Sequence, residues 1–356
     1  MRRTQAFVFT ALFLSACTLQ RWQQPERMTS LDDHMMHMSA ADMRAPTMST
    51  VTASGDPQGT PGLPASNNAA AARLAASPRH SEWVKIAWAP GSPDSIMAWV
   101  VFPKTNRKAP VVVVVHEIFG LSTWVRGVAD QVAAEGFIAI APDFLSKVRG
   151  GPTTVELPGD SAQKLIRGFT STDQAAIIDA AANYAMMLPA AEQKYAVIGY
   201  CWGGSATWSH AINGGVMGFS GGVAFYGTPY TGGGQRATAT TPAIPATLIA
   251  DSVAKITKPV MLLSGSKDAR ITALMPAIDS MMKAMHKDYT YKNYEGAIHG
   301  FLRAQDDPKA PSADPDPARK AAADAANREE EAANLAATKD GWPRTVAFLK
   351  KILAVK

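Results

Sequence analysis

Cysteine is scarce: Cys17 and Cys201 are the two in 356 residues. Two cannot build a disulfide framework, and they fall short of the four ligands of a structural zinc module. Excess charge of one sign is also missing. The formal balance is +5, and beyond residue 80 there are 28 Lys/Arg against 25 Asp/Glu with no basic run or stripe. That argues against nucleic acid as a partner. Nor does the apolar run at Ala6 to Ala16 reach the length of a permanent membrane span. What remains is ordinary: 47% hydrophobic and 18% charged residues, enough for one large α/β domain once the first 80 positions are set aside.

Those positions read as an address and a tether. Arg2 and Arg3 precede the apolar run, which fits a signal-peptide core over residues 1–16. The run ends Leu14-Ser15-Ala16-Cys17, which resembles the lipobox of bacterial lipoproteins. That resemblance implies lipidation of Cys17 and an extracytoplasmic protein held to a membrane only by its lipid. A secretory signal cut after Ala16 is the plainer alternative, and it too leads out of the cytoplasm. Residues 17–80 are rich in Ser, Thr, Pro, Ala, Gly and Met, with no sustained period of 2 or 3.6. They are expected to form a disordered tether reaching on the order of 40 Å. Within it, His34, Met35, Met36, His37, Met38 and Met43 are soft-ligand types, but a biased disordered stretch explains them more simply.

From residue 81 to 356 strands and helices alternate. Runs at 82–89 and 95–102 flank Pro90-Gly91-Ser92-Pro93-Asp94 and predict an antiparallel hairpin. The five valines from Val111 to Val115 suit a central strand covered on both faces. Further strands are expected at 137–141, 195–199, 222–226, 259–264 and 289–294, with helices to about 135, at 172–188, near 273–287 and at 342–354. This order predicts an α/β fold with a mostly parallel sheet and helices on both faces. Residues 228–250 read as a long loop, and 310–339 as a solvated surface helix. Trp83, Trp88, Trp99 and Trp124 are expected to be core or interface aromatics.

Gly199-Tyr200-Cys201-Trp202-Gly203 directly follows a buried strand and opens a helix. This is the nucleophile-elbow pattern with cysteine as the nucleophile; the helix N-terminus behind it favours a thiolate. Asp268 follows the strand at 259–264, and His299 the strand at 289–294. Nucleophile, acid, histidine is the chain order of α/β hydrolases, each at a strand's carboxyl end. His116-Glu117-Ile118-Phe119-Gly120 ends the valine strand and brings a carboxylate and backbone N–H groups to the same edge. One such N–H pairs naturally with that of Trp202 as an oxyanion hole.

Together these motifs resemble the dienelactone hydrolase (carboxymethylenebutenolidase) family, from about residue 83 to 303 with a weaker echo in the last helix. The resemblance implies an α/β-hydrolase fold and a thioester route for esters or enol lactones: Cys201 as nucleophile, His299 as base, Asp268 as its orienter. It implies that Glu117 holds or deprotonates the resting thiol, that the Ile118 and Trp202 N–H groups form the oxyanion hole, and that Arg303 binds a substrate carboxylate. Tyr226 is expected to line the pocket. A second family arginine would fall near Gly159, where none stands; Arg149 and Arg167 are the nearby alternatives. The expected partner is a small ester or lactone, and no metal or organic cofactor is implied. Because thiolate is also a good leaving group, enol and aryl esters are favoured over alkyl esters. A tethered binding protein with this fold, or a hydrolase of other extracytoplasmic esters or peptides, are the other readings; the intact Cys, His, Asp and Glu set argues against the first.

Overall fold

A computed structural model describes residues 56–88, 94–153, 159–232, 247–305 and 307–355. Along the chain, α1 (Ala70–Ala75) precedes β1 (Ser81–Ala87), β2 (Ser95–Val101), β3 (Ala109–Val115), α2 (Thr123–Ala134) and β4 (Ile138–Asp143). Then come α3 (Ser146–Arg149), α4 (Gly159–Ile166), α5 (Ser171–Met186), β5 (Ala191–Tyr200), α6 (Trp202–Asn213) and β6 (Phe219–Phe225). A two-residue ribbon, β7 (Thr231–Gly232) with β8 (Thr247–Leu248), leads to α7 (Ala250–Ala254), β9 (Val260–Gly265) and α8 (Ala269–Ala284). The chain continues through β10 (Tyr289–Tyr294), α9 (Phe301–Ala304) and α10 (Pro317–Ile352).

Eight strands form one sheet in the order β1-β2-β4-β3-β5-β6-β9-β10. The hairpin pairs antiparallel with itself and with β4, and every other neighbour is parallel. Every residue of β3, β4 and β9 is buried. Because successive side chains alternate between faces, such strands must be covered on both. The helices supply that cover: α2 packs on β2, β3 and β4, α5 on β3, β4 and β5, α6 on β5 and β6, and α10 on β6 and β9. Parallel pairing brings the carboxyl ends of β3, β5, β6, β9 and β10 to one edge of the sheet, where open α/β folds place their sites.

Two expectations are corrected. Residues 17–55, including the Met/His stretch, lie with the signal segment outside the described residues, but residues 56–80 are not a tether. Leu63, Ala65, Ala69 and Ala70 are buried, and the Ala65 and Pro64 carbonyls accept from Trp124 Nε1 at 3.1 Å and Gln305 Nε2 at 2.8 Å. Arg73 donates to three carbonyls of this segment, and Arg79 forms an ion pair with buried Asp130. Nor do 310–339 and 342–354 form two elements. They join in the single 36-residue helix α10, whose Asn334, Ala337 and Thr338 are buried. Among the described residues no helix is long and apolar enough to cross a membrane. Of the expected loop at 228–250, Thr228 and Tyr230 are buried and the ends form the ribbon; residues 233–246 lie outside the described residues.

Candidate active site

Cys201 stands between the end of β5 and the first residue of α6, at φ 57° and ψ −115°. A side chain rarely adopts that backbone, so the surroundings must hold it there. The Cys201 N–H donates to the Phe225 carbonyl at 3.1 Å, and the flanking glycines allow backbone to meet backbone. A Cβ at Gly199 would lie 1.9 Å from the Gly203 oxygen, and one at Gly203 2.4 Å from the Val115 oxygen. Nothing larger than glycine fits, and the first turn of α6 is thereby pressed against the end of β3.

Asp268 and His299 come from two loops laced together. The Lys267 N–H donates to Ala297 O at 3.0 Å and the Ser266 N–H to Tyr294 O at 2.8 Å. Ser266 Oγ in turn accepts from the Gly296 N–H at 2.9 Å. Asp268 caps α8, its Oδ1 accepting from the Ile271 N–H at 3.3 Å, while its Oδ2 lies 2.6 Å from His299 Nδ1. Cys201 also acts on the imidazole electrostatically. Burial disfavours the imidazolium, but the charges of Cys201 and Asp268 and the hydrogen bond to Asp268 outweigh it and hold His299 well above the usual histidine range. Burial likewise works against the Asp268 carboxylate, yet His299, Arg270 and the Ile271 N–H keep its pKa below the ordinary value. The arrangement is suited to a thiolate beside an imidazolium whose orientation a carboxylate fixes.

Glu117 is buried just beyond β3, with Oε2 3.1 Å from Arg303 Nε. The Arg303 guanidinium also lies over the Phe119 ring at 5.5 Å. Tyr226, fully buried at positive φ, brings its ring to 4.8 Å from that of His299. Its hydroxyl has no hydrogen-bond partner among the described residues. Burial, then the charge of Glu117, raises its pKa well above the ordinary phenol value. Trp202 is the first residue of α6, so its N–H has no carbonyl one turn back to bond. Ile118 is buried in the turn after β3.

The structure therefore brings Cys201, His299, Asp268, Glu117, Arg303 and Tyr226 to one end of the sheet. It supplies no arginine at Gly159, which opens α4; Arg167 is exposed, and its Nη2 donates to Gln163 at 3.4 Å. Sequence reasoning missed Asn334, whose Oδ1 accepts from the Ile298 N–H at 3.1 Å and so steadies the residue before His299. It also missed Glu330, which pairs with Lys267 at 3.1 Å beside Asp268. A lone Asn or Glu in an Ala-rich charged run carries no signal of such a role. Trp124 is fully buried, and Trp83 and Trp99 pack edge to face at 5.3 Å on either side of the hairpin. Among the described residues no group of three His, Cys, Asp or Glu is placed to hold a metal.

A sequence model described as the dienelactone hydrolase family matches residues 96–353. A Yersinia pestis protein assigned as a carboxymethylenebutenolidase is 27% identical over 214 residues, 60% of this chain and 76% of that protein. The carboxymethylenebutenolidase of Pseudomonas sp. strain P51 is 34% identical over 112 residues, 30% of this chain and 46% of that one. The relatives from Salmonella typhi and Escherichia coli are likewise spanned over only 46% of their length. A Klebsiella pneumoniae structure assigned as a dienelactone hydrolase shares the fold, with a TM-score of 0.55 at 23% identity, covering 78% of this chain and all of that one.

Proposed function

Because the chain belongs to the dienelactone hydrolase family, we propose that it hydrolyses carboxylic esters or lactones through a thioester on Cys201. The observation that carries this reading is the linked set of Asp268, His299 and Cys201, with 2.6 Å between the first two. The Cys201 sulfur adds to the substrate carbonyl carbon, and the Ile118 and Trp202 N–H groups receive the resulting oxyanion. As the carbonyl re-forms, the carbon–oxygen bond to the leaving group breaks and His299 gives that oxygen its proton. His299 then takes a proton from water, whose oxygen attacks the thioester. The thiolate leaves, regains its partnership with the imidazolium, and the acid is released.

Arg303 binds a carboxylate on the substrate. That carboxylate competes with Glu117 for the Arg303 guanidinium, freeing Glu117 to take a proton from any Cys201 held as thiol and to give it up again to water once the acid product has left. Tyr226 lines the pocket beside His299. The N-terminal motif supports a further assignment, a lipid on Cys17 that holds the enzyme to a membrane outside the cytoplasm; palmitate labelling that disappears in Cys17→Ser would bear it out, and undiminished labelling would overturn it.

The test is steady-state hydrolysis of p-nitrophenyl acetate and a dienelactone by the freshly reduced full chain, with Cys201→Ala and Arg303→Ala beside it. Turnover should vanish in Cys201→Ala, and mass spectrometry of the quenched wild type should show one acyl group on Cys201. Arg303→Ala should lose activity on the anionic lactone and keep most of it on the neutral ester. Turnover that survives Cys201→Ala overturns the thioester route; equal losses on both substrates overturn the carboxylate clamp.

A further inference from the structure

His116 has no part in the chemistry above, yet it is fully buried beside it with both ring nitrogens engaged. Its Nε2 lies 3.1 Å from the Phe144 N–H. A backbone N–H can only donate, so Nε2 is the acceptor and carries no proton. Nδ1 therefore bears the proton and donates it to the Glu117 carbonyl oxygen at 2.5 Å. That oxygen belongs to the peptide whose nitrogen is Ile118. The peptide is trans, so its C=O and N–H point in opposite directions within one plane. Clamping the Glu117 oxygen fixes the direction of the Ile118 N–H, and the same bond polarises the peptide into a stronger donor. The imidazole also stacks on the Trp202 indole, with centroids 5.9 Å and planes 19° apart, and meets Phe144 edge-on at 5.3 Å. One ring thus braces the residues that carry both oxyanion donors.

We propose that His116 is a positioning residue for the oxyanion hole: its neutral Nδ1–H form aims the Ile118 N–H at the carbonyl oxygen that becomes negative when Cys201 attacks. This rests on the hydrolase reading above. His116 transfers no proton and does not touch the substrate.

The two nitrogens can be separated with neutral amides in the full chain. In His116→Asn the amide nitrogen takes the place of Nδ1 and can still donate to Glu117 O. In His116→Gln the amide reaches the Nε2 position, meets the Phe144 N–H and leaves Glu117 O without its clamp. On p-nitrophenyl acetate the Asn variant should keep kcat within about threefold of wild type. The Gln variant should lose about 10- to 100-fold in kcat with KM within about twofold, less than deletion of an oxyanion donor outright. Alkylation of Cys201 by iodoacetamide passes through no oxyanion, so its rate should be unchanged in both variants. A Gln variant as fast as the Asn variant overturns the proposal, as does an alkylation rate that falls in step with kcat. If the Gln variant does not fold by circular dichroism, nitrogen-15 NMR of the wild-type imidazole decides: a proton fixed on Nδ1 from pH 5 to 9 supports the clamp, and a proton on Nε2 or a titration in that range overturns it. A wild type without Cys201-dependent turnover overturns the hydrolase reading and this proposal with it, an outcome distinct from an active wild type indifferent to His116.

Discussion

Two opposed forces meet at His299. Burial alone would keep the imidazole neutral, but Cys201 and Asp268 hold its pKa well above 6.5. A group that binds its proton more tightly in the folded chain than in the unfolded one stabilises the fold fully below its unfolded pKa, about 6.5 for histidine, and loses that contribution as pH rises through the folded value. The stability gap between wild type and His299→Gln should therefore be widest near pH 6 and shrink as pH climbs past the folded pKa. Urea unfolding at a series of pH values measures it, and a gap that grows with pH would show the imidazole to be neutral at rest. At Gly203 the argument is steric. A Cβ there would stand 2.4 Å from Val115 O and 2.6 Å from His116 O, both backbone atoms that cannot turn aside. Gly203→Ala should cost about 2–3 kcal/mol in urea unfolding and lower kcat, because the helix that starts just after Cys201 must withdraw from the end of the strand that leads to Ile118.

Among the elements, α10 has the least expected role. Its Asn334 holds the Ile298 N–H one residue from His299, and its Glu330 pairs with Lys267 one residue from Asp268. The helix therefore clasps the two loops that present the histidine and its carboxylate. Asn334→Ala leaves the half-buried Ile298 N–H without its partner and should cost about 1 kcal/mol. It should also lower kcat more than it raises KM, which steady-state kinetics on p-nitrophenyl acetate would resolve; an unchanged kcat would confine Asn334 to stability. The strands were legible because their signals are local: five valines in a row, a Pro/Gly turn between alternating runs, Gly-x-Cys-x-Gly after a buried strand. The continuity of α10 was not. Gly341 and Pro343 are ordinary helix breakers, but here Gly341 lets the helix lie against Tyr294, whose hydroxyl donates to Asp340 at 2.8 Å. Thr345 Oγ1 donates to the Gly341 carbonyl at 2.8 Å within the same turn. Tertiary packing overrides the propensity, and no local pattern announces it.

At the scale of the whole molecule, the segment from Asp56 to His80 joins parts that the sequence keeps far apart. Its cohesion comes from single hydrogen bonds and from buried Leu63, Ala65, Ala69 and Ala70, which follow no sustained period of 2 or 3.6, and that is why its composition reads as a tether. The bonds fall near the site. The Asn67 N–H donates to the Arg303 carbonyl at 2.9 Å, and Trp124, whose Nε1 donates to Ala65 O, packs edge to face on Tyr200, the residue before Cys201, at 5.2 Å. A chain beginning at Ser81 would leave the Trp124 and Gln305 donors and the Asp130 carboxylate without these partners in a buried setting. At about 1–3 kcal/mol for each buried group left unsatisfied, and roughly 2–4 °C per kcal/mol in a large domain, its melting temperature should fall by at least about 6 °C relative to a chain beginning at Asp56. Arg303 would lose an anchor of its backbone as well, so KM for an anionic lactone should rise more than KM for p-nitrophenyl acetate. Thermal melts and kinetics on the two fragments measure both effects. Equal melting temperatures would show that residues 56–80 rest on the domain without supporting it, and a uniform rise in KM would show that the segment braces the fold but not the carboxylate clamp.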